Sequence, residues 1–451
     1  MSAAVPVALA VREPLREAVG RRSPAVLAAL DVARARAFAG AAVDGVRVRS
    51  VLYRPDGGCT LRYLVRLAAG PEQVLLVEVP ASGEDVVVRP FPADPGLPTL
   101  SQAVDPQLMR TVLGRVVPGT GGDRAIGRCA VDVVHHPRHG PCVLRYRLSP
   151  GAGGAGELRH PVVFGKVYAD PTTAAAAASA LRILRRGLRR PPGQLSIVVP
   201  EPLAVVDSLR LGLAAVIPGA PLLPGLLTSD GDGIGLRDAV RDAAGLAAAL
   251  HAGDCGAAAL PVRDLAGESA AVERELALLE PVWPEVAAHL RRGVARAVGE
   301  AEDGGGDPGG WLAPGLAHGD FTPTQVLLGI PGAVGLVDVD TLCLAEPALD
   351  LGRFLAYLHV TAVRRSVRSG PLLADLTELF LEAYLDARAA TGGIPGDGDA
   401  RRVLRTRTAT YRALALARAG ARACWQLKDE RLGAVLRSLD SGFDGRGSGA
   451  G

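Results

Sequence analysis

The sequence predicts an α+β fold of two lobes, a β-rich front and a mainly helical back, with a crevice between them. Three observations carry this. Two hairpin signatures, at residues 51–63 and 133–146, each run strand, Pro/Gly turn, then Cys-x-Leu-Arg-Tyr. Beyond Pro218-Gly219 the apolar spacing is helical over most of the chain. One compact strand–loop region, 316–345, interrupts that helical pattern.

In chain order, residues 24–40 read as an alanine-rich helix, followed by the first hairpin. The second hairpin has a turn one residue longer; the likeness of the two fits an internal duplication or simply two hairpins of ordinary β composition. Gly151 to Gly156 reads as a surface insertion ahead of an apolar strand, 161–168, that contains Lys166. Asp170-Pro171 supplies an N-cap with proline at the first helical position, and an alanine-rich helix runs on to about Arg186. A strand pair, 195–206 and 209–217, ends at Pro218-Gly219. Helices then follow at 236–251, 270–298, 372–389 and 402–439.

With 451 residues, 48% of them hydrophobic, the chain can bury two or three packed units at roughly 100–200 residues each. Fifty basic against 47 acidic residues leave a net charge of +3, no general drive toward nucleic acid or a membrane surface. The six cysteines are scattered, without zinc spacing or a disulfide framework, which fits reduced thiols in a cytoplasm. The opening Met-Ser-Ala-Ala-Val-Pro lacks the basic region of a signal peptide, and the most apolar stretch, 211–227, is broken by Pro218, Pro221 and Pro224. Lys166 and Lys428 are the only lysines among 50 basic residues, so a lysine kept on a strand marks a place that needs one.

The strongest local signal is His318-Gly319-Asp320-Phe321-Thr322-Pro323-Thr324-Gln325, followed by an apolar run ending in Val337-Asp338-Val339-Asp340. Phosphoryl transfer needs positioning and charge neutralisation more than covalent help. A carboxylate must accept a hydroxyl proton, and oxygen-bearing side chains must hold a metal against phosphates. The loop and the strand after it supply those groups.

The segment resembles the catalytic loop of aminoglycoside phosphotransferases, choline kinases and related small-molecule kinases, His-Gly-Asp-x-x-x-x-Asn, then an apolar strand and Asp-x-Asp. Downstream, Glu346-Pro347-Ala348-Leu349-Asp350-Leu351-Gly352 is similar to a third motif of that family. The resemblance implies a protein-kinase-like fold from about Gly127 onward, with ATP and Mg2+ as cofactors and a hydroxyl-bearing small molecule as acceptor. It implies Asp320 as catalytic base, Gln325 and Asp338 as magnesium ligands, Asp340 as an auxiliary carboxylate and Asp350 as a brace for the loop, with His318 structural. It places Lys166 against the α- and β-phosphates, adenine against the backbone from Ala215 to Ile217, and the loop Arg138-His139-Gly140-Pro141 over the phosphates. The expected domains are an N-terminal α/β extension, a candidate cap, at 1–120, a nucleotide-binding lobe at 121–219 and a helical catalytic lobe at 220–451.

Two departures stand out. Gln325 occupies the family's asparagine position. No Asp or Glu lies between Pro171 and Pro200, where the family supplies a helix glutamate to the lysine. Glu201, then Glu157, are the candidate replacements. The alternative reading is a pseudokinase, a nucleotide- or partner-binding module without catalysis. Glu378, Glu382 and Asp386, at helical spacing, form either a solvated face or an attractor for a cationic acceptor.

Overall fold

The computed structural model describes residues 15–31, 43–67, 72–118, 126–137, 140–151, 158–188, 196–222, 234–256, 258–303, 310, 312–364, 370–393 and 398–441. Helices α1 (Leu15–Arg22) and α2 (Pro24–Ala29) precede an antiparallel sheet paired in chain order, β1 (Val43–Tyr53), β2 (Cys59–Leu67), β3 (Gln73–Val79) and β4 (Val87–Pro90). Helices α3 (Leu100–Ala103) and α4 (Pro106–Val116) lead to β5 (Ile126–His135), β6 (Cys142–Pro150) and β7 (Val162–Val167). Then come α5 (Pro171–Gly187), β8 (Ser196–Val198), β9 (Pro202–Val206) and β10 (Leu211–Ala215). The second sheet is antiparallel in the order β5-β6-β7-β10-β9.

After the link at Pro218-Gly219 the chain continues through β11 (Ala220–Pro221), α6 (Ile234–His251), β12 (Val262–Arg263), α7 (Leu265–Leu279), α8 (Pro284–Asp303) and β13 (Gly315–Ala317). The hairpin β14 (Val326–Ile330) and β15 (Ala333–Leu336), then β16 (Cys343–Ala345), precede α9 (Pro347–Arg364), α10 (Gly370–Ala390), α11 (Gly398–Trp425) and α12 (Asp429–Asp440). Two small sheets, β11-β14-β15-β8 and β12-β16-β13, sit among these helices and carry the 318–340 loop region. The architecture is thus the two-lobed α+β arrangement expected.

The local chemistry follows the capping and breaking residues. Asp170 accepts the Thr173 N–H at 2.9 Å, closing the start of α5. Three long runs divide where that chemistry demands it. The first strand of the expected pair splits at Pro200 and Pro202, which remove ladder donors, so β8 joins β15 in parallel while β9 pairs with β10. The expected 270–298 helix breaks between α7 and α8, where Pro281 ends one helix and Pro284 starts the next. The 402–439 run breaks at Leu427, whose left-handed φ of 51° and N–H donated to the Cys424 carbonyl close α11. The early helix ends at Ala29, and residues 32–42 lie outside the described residues.

The two hairpins open separate sheets. The first packs on the helical lobe through Tyr53, whose ring stacks on Trp425 at 6.2 Å and meets Trp283 edge-on at 6.0 Å. Helices α3 and α4 instead share a buried cluster with β5, β6, β7 and β10, built on Leu100, Met109, Leu113, Tyr146 and Leu211. All six cysteines are free thiols. No helix among the described residues is long and apolar enough to cross a membrane.

Candidate active site

A cleft of about 790 Å3 lies between the second sheet and the β14–β15 hairpin. Phe164, Lys166 and Tyr168 line its upper wall, and Gln325, Asp338 and Asp340 its lower wall. The 215–217 segment, with Ala215 and Ile217, lines it beside the link between the lobes. Strand alternation sets the upper wall: Val163 and Val167 are fully buried in the sheet core, so Lys166 and Tyr168 face the cleft.

Lys166 Nζ donates to Asp338 Oδ1 at 2.5 Å and lies 3.0 Å from both oxygens of Asp340. The Tyr168 hydroxyl donates to Asp340 Oδ2 at 3.0 Å. Burial pulls the Lys166 ammonium pKa down, but Asp340 and Asp338 outweigh it and hold the group above its ordinary value. Burial likewise pushes the Asp338 carboxyl up. The Lys166 charge and hydrogen bond, with His318 and Gln325, more than offset that and hold it below the usual carboxylate range. Asp338 adopts a left-handed φ of 64°, an uncommon backbone state outside glycine that clusters at functional turns.

The 318–325 loop is fixed from below. Asp350, in the first turn of α9, accepts the His318 N–H at 2.7 Å and the Gly319 N–H at 2.9 Å. His251 Nε2 donates to the same carboxylate at 3.2 Å and its Nδ1 accepts from the Tyr384 hydroxyl at 2.9 Å. Gly319 has φ +79°, and a Cβ there would lie 2.3 Å from the Thr341 carbonyl, so no other residue fits. His318 is fully buried, with Nε2 bonded to the Val337 carbonyl and Nδ1 accepting the Asp320 N–H. Phe321 stacks on Phe354 at 5.5 Å, which stacks on Phe380 at 4.4 Å, so the loop rests on α9 and α10.

Asp320 emerges from this scaffold partly exposed, with Oδ1 2.8 Å from Arg353 Nη1. Arg353 also lies 3.5 Å from Glu268, which pairs with Arg263 and Arg418 at 2.8 Å. Arg263 in turn donates to the Gly319 carbonyl at 2.8 Å. The structure therefore gathers Lys166, Gln325, Asp338 and Asp340 at one end of the cleft, with Ala215 and Ile217 along it. His318, Asp320 and Asp350 belong to the loop that carries Gln325.

One outcome differs from the sequence reading. Glu201 is not the partner of Lys166: it lies 3.8 Å from Arg159. Glu157, the second candidate, and Arg138 and His139 of the expected phosphate-covering loop lie outside the described residues, as do residues 152–156. Glu378, Glu382 and Asp386 lie on a solvated face, as one of the two readings had it, and there they are paired with arginines. Arg405 pairs with Glu378 and Glu382, and Arg401 with Glu382 and Asp386, joining α10 to α11. Tyr168 and Arg353 went unnoticed, although each follows a singled-out residue at the period of its element, two after Lys166 on a strand and three after Asp350 on a helix.

A magnesium ion is implied by the motifs, and the donor set suits it. Gln325 and Asp338 both line this end of the cleft, an amide and a carboxylate whose oxygens are of the hard type that magnesium takes. Thr322 and Thr324 hydroxyls donate to Gln325 Oε1 and orient the amide. Among the described residues no group of three or more His, Cys, Asp or Glu side chains is placed to hold a metal.

No curated protein matches the sequence. Among solved structures, choline kinase from Cryptosporidium parvum Iowa II aligns over 74% of this chain and 94% of its own, at 12% identity and a TM-score of 0.50. It carries the same protein-kinase-like fold. Spectinomycin phosphotransferase APH(9)-Ia, solved with ADP and spectinomycin, covers 75% of this chain and 99% of its own at 13% identity, with a TM-score of 0.46. Macrolide 2'-phosphotransferase MphH from Brachybacterium faecium covers 69% and 91% at 19% identity, with a TM-score of 0.39. The family model APH, described as the phosphotransferase enzyme family, matches residues 162–394. That span runs from the strand bearing Lys166 through the 318–350 motifs, and by it the chain belongs to the phosphotransferase enzyme family (APH).

Proposed function

We propose that this protein transfers the γ-phosphoryl group of ATP to a hydroxyl of a small molecule, a sugar, aminoglycoside or amino alcohol. The observation that carries the reading is the set of charges facing one another across the cleft, Lys166 on the upper wall against Asp338 and Asp340 on the lower. A cation beside two carboxylates in one cleft binds a phosphate chain and a divalent cation together. It also speaks for catalysis over a nucleotide-binding pseudokinase, since the phosphate position holds a lysine and carboxylates rather than an apolar plug.

Adenine lies along the backbone of 215–217 and the phosphates reach toward Lys166. Gln325 and Asp338 hold Mg2+, which neutralises charge on the phosphates. Arg353 fixes Oδ1 of Asp320, and Oδ2 accepts the proton of the acceptor hydroxyl. The hydroxyl oxygen bonds to the γ-phosphorus as the bond to the β–γ bridging oxygen breaks, and ADP departs. Asp350 and His318 keep the loop in register and touch neither substrate. The unit before 120 and the lobes at 121–219 and 220–451 are the divisions we adopt, in a cytoplasmic protein.

The test is a product screen with Mg-ATP against sugars, amino alcohols and aminoglycosides, with Asp320→Asn run alongside. Acceptor-dependent ADP release that vanishes in the variant is the expected result. Equal traces from both proteins across the whole panel would remove the enzymatic reading.

A further inference from the structure

We propose that Asp340, held in place by the Tyr168 hydroxyl, is the positioning residue that aims Lys166 at the nucleotide phosphates. The inference rests on the nucleotide reading above and adds the device by which the lysine is ordered. A lysine side chain loses close to 2 kcal/mol of rotamer freedom when fixed, so a cleft lysine that must meet phosphate needs a standing anion. Helix α5, which walls the cleft beside it, offers none: its residues there are Ala177, Ala178 and Leu181. Two carboxylates do reach Nζ. Asp338 is the one assigned to magnesium, and a cation bound there would compete with the lysine for that carboxylate. Asp340 remains, with both oxygens at 3.0 Å from Nζ.

The second part is how Asp340 is itself held. Tyr168 lies two residues beyond Lys166 on the same face of the chain, so one strand presents both the cation and the hydroxyl that fixes its partner. The Tyr168 ring packs in a small buried cluster with Ala174 and Ala177 of α5. On its other side a Cβ at Gly212 would lie 3.6 Å from the ring. Small residues on α5 thus make the bed for the ring, and the same helix packs against the turn Val339–Thr341 that carries Asp340. The alanine-rich helix and the missing helix acid are two sides of one arrangement, in which the carboxylate comes from the turn and the helix supplies only its support.

The test is titration of a fluorescent ADP analogue, mant-ADP, in EDTA and again with Mg2+. The proteins are wild type, Asp340→Asn, Tyr168→Phe, Asp338→Asn and the double variant Leu181→Glu/Asp340→Asn, with the fold of each checked by thermal melting. Loss of a charge-assisted hydrogen bond predicts about tenfold weaker mant-ADP binding for Asp340→Asn with Mg2+, and a smaller loss in EDTA, where Asp338 still reaches Nζ, with the half-saturating Mg2+ concentration unchanged. Tyr168→Phe should lose about threefold. Asp338→Asn should instead raise the half-saturating Mg2+ concentration. The Leu181→Glu graft, which puts a carboxylate on the cleft side of α5, should regain at least part of what Asp340→Asn loses. Asp340→Asn within about twofold of wild type at saturating Mg2+, or moving only the Mg2+ requirement, overturns the proposal, as does a folded graft that regains nothing. If Asp340→Asn does not fold, Tyr168→Phe carries the same comparison, and unchanged affinity there overturns it. Wild type that binds no mant-ADP sinks the nucleotide reading and this one together. Wild type that binds normally beside an unaffected Asp340→Asn sinks this one alone.

Discussion

At the scale of single residues, the chemistry rests on what each oxygen is free to do. Asp320 has one oxygen committed to Arg353, so its geometry survives replacement by asparagine while its capacity to take a proton does not. Asp320→Asn should retain nucleotide binding and lose turnover by about a hundredfold to ten-thousandfold, the usual worth of a general base. Steady-state rates with nucleotide titrations check this, and turnover within threefold of wild type would assign the base elsewhere. Gln325 and Asp338 separate by charge. Gln325→Asn keeps an amide oxygen one methylene shorter and should cost activity no more than about tenfold, whereas Asp338→Ala removes the anion and should cost at least about a hundredfold. The reverse order in Mg2+-dependent kinetics would exchange the two roles. These residues were legible because their motifs are contiguous in the chain. The partner of Lys166 was not, because strand pairing and lobe closure bring Asp340 to it from 174 positions away, and no local spacing encodes that meeting.

At the scale of elements, the loop from β13 to β14 keeps its shape through α9, whose first turn spends Asp350 on two backbone N–H groups of that loop. Burial would push the Asp350 carboxyl up, but the hydrogen bond from His251 and those from the loop N–H groups outweigh it, and it is held below its usual range. A carboxyl depressed in this way contributes stability above its unfolded pKa of about 3.9, and that contribution is lost as pH falls through the lower folded value. Asp350→Asn should therefore destabilise by about 2–4 kcal/mol at pH 7, with the gap to wild type narrowing toward pH 3. Denaturant unfolding at both pH values measures it; an equal gap at both would show that charge is not what the loop uses. The same scale shows how far element reading goes. Caps and breakers such as Asp170-Pro171 placed α5 correctly, since they act within one turn. The parallel pairing of β8 with β15 joins residues 196–198 to 333–335, and nothing in either segment names the other. The division of the long helical runs at Pro281 and Leu427 was misread because apolar periodicity carries across a short break in packed helices.

At the scale of the molecule, the first hundred residues are bound to both lobes. The first sheet rests on the helical lobe through Tyr53, Trp283 and Trp425, while α3 and α4 rest on the second sheet. Where the two meet, Arg62 of β2 is 4% exposed and bridges to the end of β5. Its Nη1 donates to the His136 carbonyl at 3.0 Å and its Nη2 to Asp94 at 3.1 Å, and His136 Nε2 donates to Asp94 at 2.8 Å. Burial pulls the Arg62 guanidinium pKa down against the pull of Asp94, as expected for a cation paid back only by its partners. His135, the neighbour of His136, lines the cleft, so this bridge ties the first sheet to the hairpin beside the cleft. Arg62→Leu leaves Asp94 with His136 and the Gly96 N–H as its donors and strips the His136 carbonyl of its donor. The expected cost is about 3 kcal/mol of stability, because one partner of a buried ion pair is removed while the other stays. Because β5 is then released at its cleft end, nucleotide affinity should fall as well, while Arg54→Leu, an exposed change in the same sheet, should alter stability by no more than about 0.5 kcal/mol and leave affinity alone. Urea unfolding paired with nucleotide titration distinguishes the outcomes: a stability loss without an affinity loss would mean that the extension holds the fold together but does not reach the site.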